Sequence, residues 1–375
     1  MTIEIPQEKL KKALSVIEKV SSKSPTLPIL NNILLSAEKN ILKLSATDLE
    51  VGANFQVLGK VSNPGQIAVS GRLLFGFINL LPGGNVSLSV SSQDLIVESG
   101  KYRTKIKGLL ADEFPIIPKV EEDDFVLINS INFCSSLTQV YNIPAPSTAR
   151  PEISGVYFSF NKNSLVLAAT DSFRLGEKNV GLIKSNLKKS INIIIPQKTA
   201  REIINIFSEE EKELKVSVSD SQIMIESFLE GSSAPNIMLT SRLIDGEYPA
   251  YSEIIPQKHI TSITLPRKDF LNHIKGASLF VNKNNEVKLK INSKKGTLEI
   301  LASASAGGDY SSTIEGSVLG EDVEIVFNYR FLIDGLASIL SEKVLFELNG
   351  DSGPAVLKPS GGGDYLYVVM PIKSS

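Results

Sequence analysis

Two pairs of neighbouring Thr and Asp residues are the first features of this sequence that suggest chemistry. Thr47 and Asp48 lie in SATDLEVG, and Thr170 and Asp171 lie in AATDSFRLG. An Asp beside a Thr can belong to a catalytic site, but the same side chains also bond nearby backbone and turn the chain where a strand ends. Both pairs follow an alternating, strand-like stretch and precede a glycine. We therefore interpret both aspartates as turn formers, with a catalytic role as the alternative.

Other signs of enzymatic chemistry are missing from the sequence. It has no G-x-S-x-G elbow, no H-E-x-x-H motif and no P-loop. Asp171 and Arg174 are spaced for an ion pair, but no neighbouring residue completes an acid–base set. The glycine-rich segment 360–365 leads into a strand-like stretch and opens no helix, so it is a poor phosphate site. With one cysteine and two histidines, we expect no structural zinc site, and no residue is predicted to bind a metal.

The separation of the two Thr–Asp pairs indicates an internal repeat, because similar patterns recur in each third of the 375-residue chain. Two helical patterns appear in every third, and alternating strands close each one. The segments that contain the first helices begin at Ile5, Leu127 and Leu265, each with a short extended stretch that leads into the helix, and the segments with the second helices begin at Val69, Ile194 and Val326. The apolar face of the very first helix is predicted at Leu10, Ala13, Leu14, Ile17 and Val20. That of the second helix in the middle third is predicted at Ala200, Ile203, Ile204 and Phe207.

The Thr–Asp motif has diverged between the copies. The third copy places Ser303 where Thr47 and Thr170 lie, and no Asp follows it. A catalytic residue gains nothing from repetition, so the recurrence favours the structural interpretation. In the middle copy we expect a turn that is one residue longer than in the first, which places Phe173, Arg174 and Leu175 beside the next domain.

The repeat predicts an α+β fold with three similar domains, each with two helices packed on antiparallel sheets. We place the domains at residues 1–119, 123–253 and 257–375. Hydrophobic residues make up 42% of the chain and charged residues 21%, which is typical of a globular protein. A single cysteine and the absence of a long apolar run predict a cytoplasmic protein without a membrane partner.

Taken together, the motifs resemble those of the bacterial DNA polymerase III beta subunit, the processivity sliding clamp. They are SPTLPIL at 24–30, SATDLE at 45–50, VSGRLL at 69–74, AATDSFRL at 168–175, LIDGEYPAY at 243–251 and YVVMPIK at 367–373. The resemblance implies a head-to-tail homodimer that forms a ring around double-stranded DNA, with no catalytic activity and no cofactor. It also implies sequence-independent DNA contacts and binding of the replicative DNA polymerase, the clamp loader and other proteins with clamp-binding peptides.

A ring that slides must attract phosphates without reading bases. The net charge is only −2, so the expected basic surface depends on where the charges lie. Acidic runs cluster at 121–124 and 208–213, away from the basic helix faces. The candidates for the DNA-facing side are Lys12, Lys23, Arg72, Arg150, Lys198 and Arg201.

The resemblance further implies a partner-peptide groove between the second and third domains. Most of its residues are apolar, which suits one or two large side chains of a bound peptide. Carried over position by position, they are Ile153, Thr170, Ser172, Phe173, Arg174, Leu175, Pro249, Ile254, Asn328, Phe331, Val368, Met370, Pro371 and Ile372. Relatives often carry other residues at Phe173, Phe331 and Glu253, so the preferred peptide is expected to differ.

The dimer contact is expected between the edge strand at 102–109 and the segment 278–284 of the other chain. Ile106, Leu279 and Phe280 would form its apolar centre. The alternative function is a peptide-binding scaffold or adaptor that does not encircle DNA.

Overall fold

The computed structural model describes residues 1–21, 27–120, 124–229, 231–232, 234–304 and 307–372. Three successive repeats follow one another in these residues, and each has the same order of nine strands and two helices. This order confirms the predicted threefold repeat and the two helices in each copy.

The strands and helices of each repeat alternate in the same way along the chain. Repeat one contains β1 Thr2–Pro6, α1 Gln7–Val20, β2 Asn32–Glu38, β3 Ile41–Thr47, β4 Val51–Leu58, β5 Lys60–Asn63, β6 Gly65–Ser70, α2 Gly71–Leu80, β7 Asn85–Ser91, β8 Asp94–Ser99 and β9 Tyr102–Leu109. Repeat two contains β10 Phe125–Asn129, α3 Ser130–Val140, β11 Gly155–Phe160, β12 Ser164–Thr170, β13 Arg174–Gly181, β14 Lys184–Ser185, β15 Ile191–Pro196, α4 Gln197–Phe207, β16 Glu213–Val218, β17 Gln222–Phe228 and β18 Pro235–Arg242. Repeat three contains β19 Thr261–Pro266, α5 Arg267–Ala277, β20 Glu286–Asn292, β21 Thr297–Ala304, β22 Gly308–Glu315, β23 Ser317–Leu319, β24 Val323–Asn328, α6 Tyr329–Ser338, β25 Lys343–Leu348, β26 Ala355–Pro359 and β27 Tyr365–Val369. Short 3-10 helices lie at Pro28–Asn31, Ala111–Glu113, Pro151–Ile153, Tyr251–Ile254 and Ser278–Phe280.

The chain forms two compact units, and the division passes through repeat two. Unit one comprises Met1–Cys134, Leu182–Lys189 and Lys198–Leu243, and unit two comprises Ser135–Gly181, Ser190–Gln197 and Ile244–Ser375. Each unit therefore holds parts of two repeats and contains a junction between them.

Unit one is built on a sheet of 14 strands in the order β14-β10-β16-β17-β18-β4-β3-β2-β6-β9-β8-β7-β1-β5. Repeat one supplies a group of four strands, β4-β3-β2-β6, that ends at β4. It also supplies a group of five strands, β5-β1-β7-β8-β9, that ends at β9. Repeat two supplies its own group of five, which ends at β18. The antiparallel pair β4–β18 is the junction between the two repeats.

Unit two contains a sheet of nine strands in the order β15-β11-β12-β13-β27-β26-β25-β19-β23 and a sheet of four in the order β22-β21-β20-β24. The four-strand group of repeat two ends at β13, and the five-strand group of repeat three begins at β27. The antiparallel pair β13–β27 joins them, in the same way that β4 pairs with β18 in unit one. The strand pairs within the sheets are antiparallel, as predicted.

The helices bury the faces that their apolar spacing predicts, with one exception. Helix α1 packs on α2, β3 and β4, and its predicted apolar residues are all buried. Glu8 in its first turn and Lys19 in its last turn complement the helix dipole. In α4, Ile204 is only half-buried and Ile206 is buried in its place, so that part of the predicted face is wrong.

Two helical glycines differ sharply in their surroundings. In α6, a Cβ at Gly335 would lie 2.5 Å and 2.6 Å from two ring carbons of Tyr367, a fully buried side chain of β27. In α2, a Cβ at Gly76 would meet no described atom within 4 Å. The lack of a side chain at Gly335 therefore allows α6 to lie directly against β27.

We expect Gly335→Ala to lower the free energy of unfolding by about 1–3 kcal/mol, because the added methyl overpacks the contact with Tyr367. The matched control, Gly76→Ala, should raise the free energy of unfolding by roughly 0.5–1 kcal/mol, because alanine loses less backbone entropy in a helix. Chemical denaturation of both variants measures the difference. Equal effects of the two changes would contradict the close approach at Gly335.

Candidate functional site

The two Thr–Asp pairs form the same turn. Asp48 Oδ1 accepts hydrogen bonds from the backbone N–H groups of Glu50 and Val51, at 3.0 and 2.7 Å. Thr47 Oγ1 donates to the carbonyl oxygen of Val51 at 2.9 Å and accepts from the N–H of Leu49 at 3.0 Å. Leu49 has φ of +76°, a left-handed conformation that these bonds help to hold.

The second turn repeats these bonds atom for atom. Asp171 Oδ1 accepts from the N–H groups of Phe173 and Arg174, both at 3.0 Å. Thr170 Oγ1 donates to the carbonyl oxygen of Arg174 at 2.7 Å, and Ser172 also has φ of +76°. The interpretation of both aspartates as turn formers is confirmed.

The prediction of a longer second turn is wrong. The N–H of Asp48 donates to the carbonyl of Val51 at 3.1 Å, and that of Asp171 donates to the carbonyl of Arg174 at 3.3 Å. The two turns therefore have equal length, and Arg174 corresponds to Val51. This correspondence is not evident from the sequence, because the side chains of Arg174 and Val51 differ in size and charge.

Arg174 is the most strongly held side chain of the second turn. Its Nε donates to Asp171 Oδ2 at 2.9 Å, and its Nη1 pairs with Asp334 of α6. Its guanidinium carbon lies 4.8 Å from the ring centre of Phe331. Burial alone would lower the pKa of Arg174, but Tyr367, Asp334 and Asp171 outweigh burial and raise the pKa. The guanidinium is thus a fixed positive charge at the end of β13.

We call the surface around this arginine the Arg174 surface and define it by Phe173, Arg174, Ile254, Phe331 and Met370. Phe173 is 61% exposed and stacks on Phe331 with the ring centres 6.4 Å apart. Met370 is 39% exposed, and its N–H donates to the carbonyl of Phe173 at 2.9 Å. Ile254 is exposed as well, so large apolar side chains here remain open to solvent.

Several predicted groove residues lie below the Arg174 surface. Leu175 and Val368 are fully buried and form a cluster with Val356, against which Tyr251 and Ile255 pack. Thr170 and Ile153 are also buried. The side chains of these four residues are enclosed in this structure and support the exposed ones. Their role as contact residues for a peptide stays a prediction.

The remaining predicted groove residues lie in the same unit and are half-buried or exposed: Ser172, Pro249, Asn328, Pro371 and Ile372. Asn328 accepts a bond from the N–H of Arg330 at 3.0 Å and caps α6. Ile372 N–H donates to the carbonyl of Val326 at 2.8 Å, which fixes the chain beyond β27.

Sequence reasoning missed Asp334, Tyr367 and Tyr251 at this site. Asp334 pairs with Arg174, and Tyr367 donates its hydroxyl to the carbonyl of Phe331 at 2.9 Å. Tyr251 packs against the cluster below, and burial raises the pKa of its hydroxyl. Tyr251 and Tyr367 lie within two of the quoted motifs, at 243–251 and 367–373, but the motifs do not indicate their contacts, because each residue acts on one that is distant in the chain.

Three of the basic residues predicted to face DNA are ion-paired. In unit one, Lys12 pairs with Glu210 and Lys198 pairs with Asp48, in both cases across the boundary between repeats one and two. Arg201 Nε lies 3.3 Å from the buried carboxylate of Glu202.

The pKa values of Glu210 and Lys198 are shifted for different reasons. Hydrogen bonds from Lys12 and Lys212 hold the pKa of Glu210 at about 2. Burial lowers the pKa of Lys198, and Arg201 adds to this effect while Glu202 opposes it. Lys12 and Lys198 therefore have a structural task at the repeat junction, whatever else they contact.

The other basic candidates differ from one another. Arg72 on α2 is exposed and forms no ion pair with the residues that the structure describes. Arg150, in unit two, bonds Glu152 at 3.1 Å and the hydroxyl of Ser172 at 3.4 Å, so it lies beside the second turn. Lys23 falls outside the described residues.

The predicted dimer residues have unequal exposure. Leu279 is 80% exposed, and Phe280 is half-buried and stacks on Tyr310 of β22 at 5.8 Å between ring centres. Ile106 on β9 is only 6% exposed, because it points into the core of repeat one. Its assignment as an apolar contact residue stays a prediction, and in the single chain its side chain is largely enclosed.

Metal sites and membrane spans are not evident in the part of the chain that the structure describes. These residues contain no group of three or more His, Cys, Asp or Glu side chains placed to hold a metal ion. Among the described helices, none is long and apolar enough to cross a membrane.

Comparison with known proteins covers nearly the whole chain. Three models of the DNA polymerase III beta subunit match in order: the N-terminal domain at residues 1–118, the central domain at 128–250 and the C-terminal domain at 252–373. A "Beta sliding clamp" of Synechocystis is 28% identical over 391 aligned positions, which cover 98% of each chain. The "Beta sliding clamp" of Staphylococcus aureus is 25% identical over 366, covering 95% of each.

Solved structures agree with these matches. The DNA polymerase sliding clamp of Bacillus subtilis superposes with a TM-score of 0.92 at 24% identity, and the fold covers 100% of both chains. The sliding clamp of Pseudomonas aeruginosa gives the same TM-score at 25% identity, again over 100% of both chains. The chain, with its three repeats of the clamp fold, belongs to the family of bacterial DNA polymerase III beta subunits and is a sliding clamp.

Proposed function

We propose that two copies of this chain join head to tail in a ring around duplex DNA, and that the Arg174 surface binds peptides of the proteins that the ring tethers. The replicative DNA polymerase and the clamp loader are the expected partners. The observation that carries the proposal is the arrangement of strand edges, because it leaves each chain with two edges that fit each other.

Each junction within the chain joins the same two kinds of edge. The last strand of a four-strand group, β4 or β13, pairs with the last strand of the next repeat's five-strand group, β18 or β27. Repeat three has a four-strand group that ends at β22, and repeat one has a five-strand group that ends at β9. By this correspondence β22 and β9 are the matching pair for a third junction.

Each of these strands has an edge along which most backbone N–H and C=O groups pair with no other strand in the described part of the chain. Strand β22 pairs with β21 alone in the described part of the chain. Residues 102–107 of β9 pair with β8, whereas β6 is bonded only at Gly108 and Leu109. An uncovered strand edge favours association, and a head-to-tail contact between two copies would use both edges of each chain.

The predicted dimer residues support the same contact. Leu279 is largely exposed, and Phe280 packs on Tyr310 of the open strand β22. Two chains joined in this way would contain six similar repeats and six equivalent junctions.

The contacts that retain the chain on DNA are expected to be weak and independent of the DNA sequence. Topology would hold the ring on DNA, while arginine and lysine side chains would attract phosphates without reading bases. Arg72 is the clearest candidate because its charge is exposed and unpaired among the described residues.

The Arg174 surface offers suitable chemistry for a short peptide. Phe173 and Met370 present exposed apolar area next to a fixed guanidinium, and Ile254 is exposed on the same unit. A peptide with a glutamine and two large apolar residues would bury apolar area here, at about 1.5–3 kcal/mol for each fully buried side chain.

We propose no catalytic role for the chain. The alternative function is that of an adaptor that binds peptides and does not encircle DNA. Retention on nicked circular DNA distinguishes a ring from such an adaptor.

We expect Leu279→Glu together with Phe280→Glu to convert a dimer into a monomer at micromolar concentration, because charge would enter the proposed contact. Light scattering after size exclusion measures the mass. Leu319→Glu is the control, since Leu319 is also largely exposed but lies on β23. An unchanged dimer mass in the double variant would place the contact elsewhere.

Arg72→Ala should shorten retention on nicked circular DNA, and the deficit should be largest at low salt and shrink as salt rises, because one salt-dependent phosphate contact is lost. Lys198→Ala tests a different property, and Asp48→Asn is its matched variant. If the ion pair between Lys198 and Asp48 stabilises the junction of the two repeats, both changes should lower the melting temperature. If Lys198 instead contacts phosphate, Asp48→Asn would free its charge and prolong retention.

The double variant Phe173→Ala with Met370→Ala should weaken the binding of a labelled peptide at least tenfold, because two apolar anchors are lost. Fluorescence anisotropy measures the affinity. Removing residues 370–375 should have a similar effect and leave Val369 paired with Arg174 and Ala355.

Leu340→Ala, at a largely exposed site on the same unit, is the control for these variants. The dimer mass should stay unchanged throughout. Wild-type affinity in the double variant would show that peptides bind elsewhere.

A further inference from the structure

The junction in unit one carries a pocket of its own, next to the turn of Thr47 and Asp48. We call it the Thr240 pocket. It has a volume of about 100 Å³. Its main lining residues are Leu49, Glu50, Ile116, Ile117, Thr240 and Arg242. A pocket of this size holds roughly three waters' share of liquid volume, or one branched aliphatic side chain.

The Thr240 pocket corresponds position by position to the Arg174 surface. Gly52 pairs with Thr240 between β4 and β18, as Leu175 pairs with Val368 between β13 and β27. The N–H of Arg242 donates to the carbonyl of Glu50 at 3.0 Å. Met370 and Phe173 make the equivalent bond, so the backbone of the two sites is built alike.

The side chains at the corresponding positions have opposite character. The apolar pair Leu175 and Val368 is replaced by Gly52 and Thr240, and the apolar rim of Phe173 and Met370 is replaced by Glu50 and Arg242. The missing side chain at Gly52 is partly filled by Ile117, whose Cγ2 would lie 2.7 Å from a Cβ there. The site is therefore a polar counterpart of the Arg174 surface.

The hydroxyl of Thr240 points to a ligand. Thr240 is 3% exposed and lines the pocket, yet its Oγ1 has no hydrogen-bond partner among the described residues. Buried hydroxyl groups in proteins are nearly always bonded. A group that accepts a hydrogen bond from this hydroxyl would satisfy it.

The charge beside this hydroxyl indicates which group that is. Arg242 lies two residues after Thr240 on β18, so both side chains lie on the same face of the strand. Arg242 is exposed and forms no ion pair within the described part of the chain. An oxyanion, either a carboxylate or a phosphate, accepts from a hydroxyl and a guanidinium together. The apolar residues on the other side of the pocket favour the carboxylate of a protein segment.

The opposite side of the pocket is apolar and open. Leu49 is 45% exposed and Ile116 is 93% exposed, although both are large apolar side chains. An aliphatic side chain next to the carboxylate would cover them. Glu50 on the rim would favour a basic residue further along the same ligand.

We propose that the Thr240 pocket binds a short acidic segment of a partner protein, with an aspartate side chain on Thr240 and Arg242 and a leucine-like side chain on Leu49 and Ile116. Duplex DNA would supply an anion but no aliphatic group for Leu49 and Ile116. This second site goes beyond the proposed function and does not require that the Arg174 surface binds peptides.

Methyl NMR of the full chain with labelled isoleucines tests the proposal. The probe is the capped tripeptide acetyl-KLD-amide. We expect it to shift the methyl signals of Ile116 and Ile117, with Ile254 and Ile372 as separate reporters of the Arg174 surface. Thr240→Val and Arg242→Gln should each weaken the affinity about tenfold, equivalent to about 1.4 kcal/mol.

Controls separate this proposal from the function proposed above. The peptide acetyl-KLN-amide lacks the carboxylate and should bind at least tenfold more weakly, and so should the free acid acetyl-KL, whose only carboxylate is its C-terminus. Both Thr240 and Arg242 variants should keep wild-type DNA retention and wild-type binding at the Arg174 surface. Unshifted Ile116 and Ile117 signals, equal binding of KLN, tighter binding of the free acid, or wild-type affinity in the variants would each overturn the proposal.

Discussion

Antiparallel pairing between successive repeats is the interaction on which the rest of this structure depends. Strand β4 bonds β18 and strand β13 bonds β27, so each repeat continues the sheet of the next. Backbone hydrogen bonds make few demands on side chains. The same junction therefore forms around Leu175 and Val368 in one place and around Gly52 and Thr240 in the other, which leaves the side chains beside each junction free to diverge.

The Thr–Asp turn beside each junction mainly forms hydrogen bonds with the backbone. The Asp side chains accept from backbone N–H groups of the turn, and the Thr hydroxyls add a second bond to a carbonyl that already accepts the N–H of the Asp. These bonds help to hold Leu49 and Ser172 at φ of +76°. The second carboxylate oxygen of each Asp is then available to a cation. In one turn that cation is Lys198 from the following repeat, and in the other it is Arg174 of the turn itself, which also reaches Asp334.

Charged side chains of this chain differ in whether they form ion pairs, and the net charge of −2 does not show these differences. Lys12 and Lys198 neutralise acids across a repeat boundary, whereas Arg72 carries an exposed charge without an ion pair among the described residues. Exposed ion pairs contribute little to stability on average, yet they remove charge from the pool that an approaching polyanion meets. Counting lysines on a helix face therefore overstates how many can contact phosphate.

Much of the fold follows from the sequence alone, because periodicity and turn chemistry act over a few residues. The threefold repeat, the buried face of α1 and the turns at Asp48 and Asp171 were all predictable in this way. The predicted site was less complete: Leu175 is enclosed, and Arg174 pairs with Asp334, far along the chain, as well as with the nearby Asp171 whose spacing suggested an ion pair. Only the tertiary structure decides such matters, because strand register brings distant residues together and no local pattern encodes which ones meet.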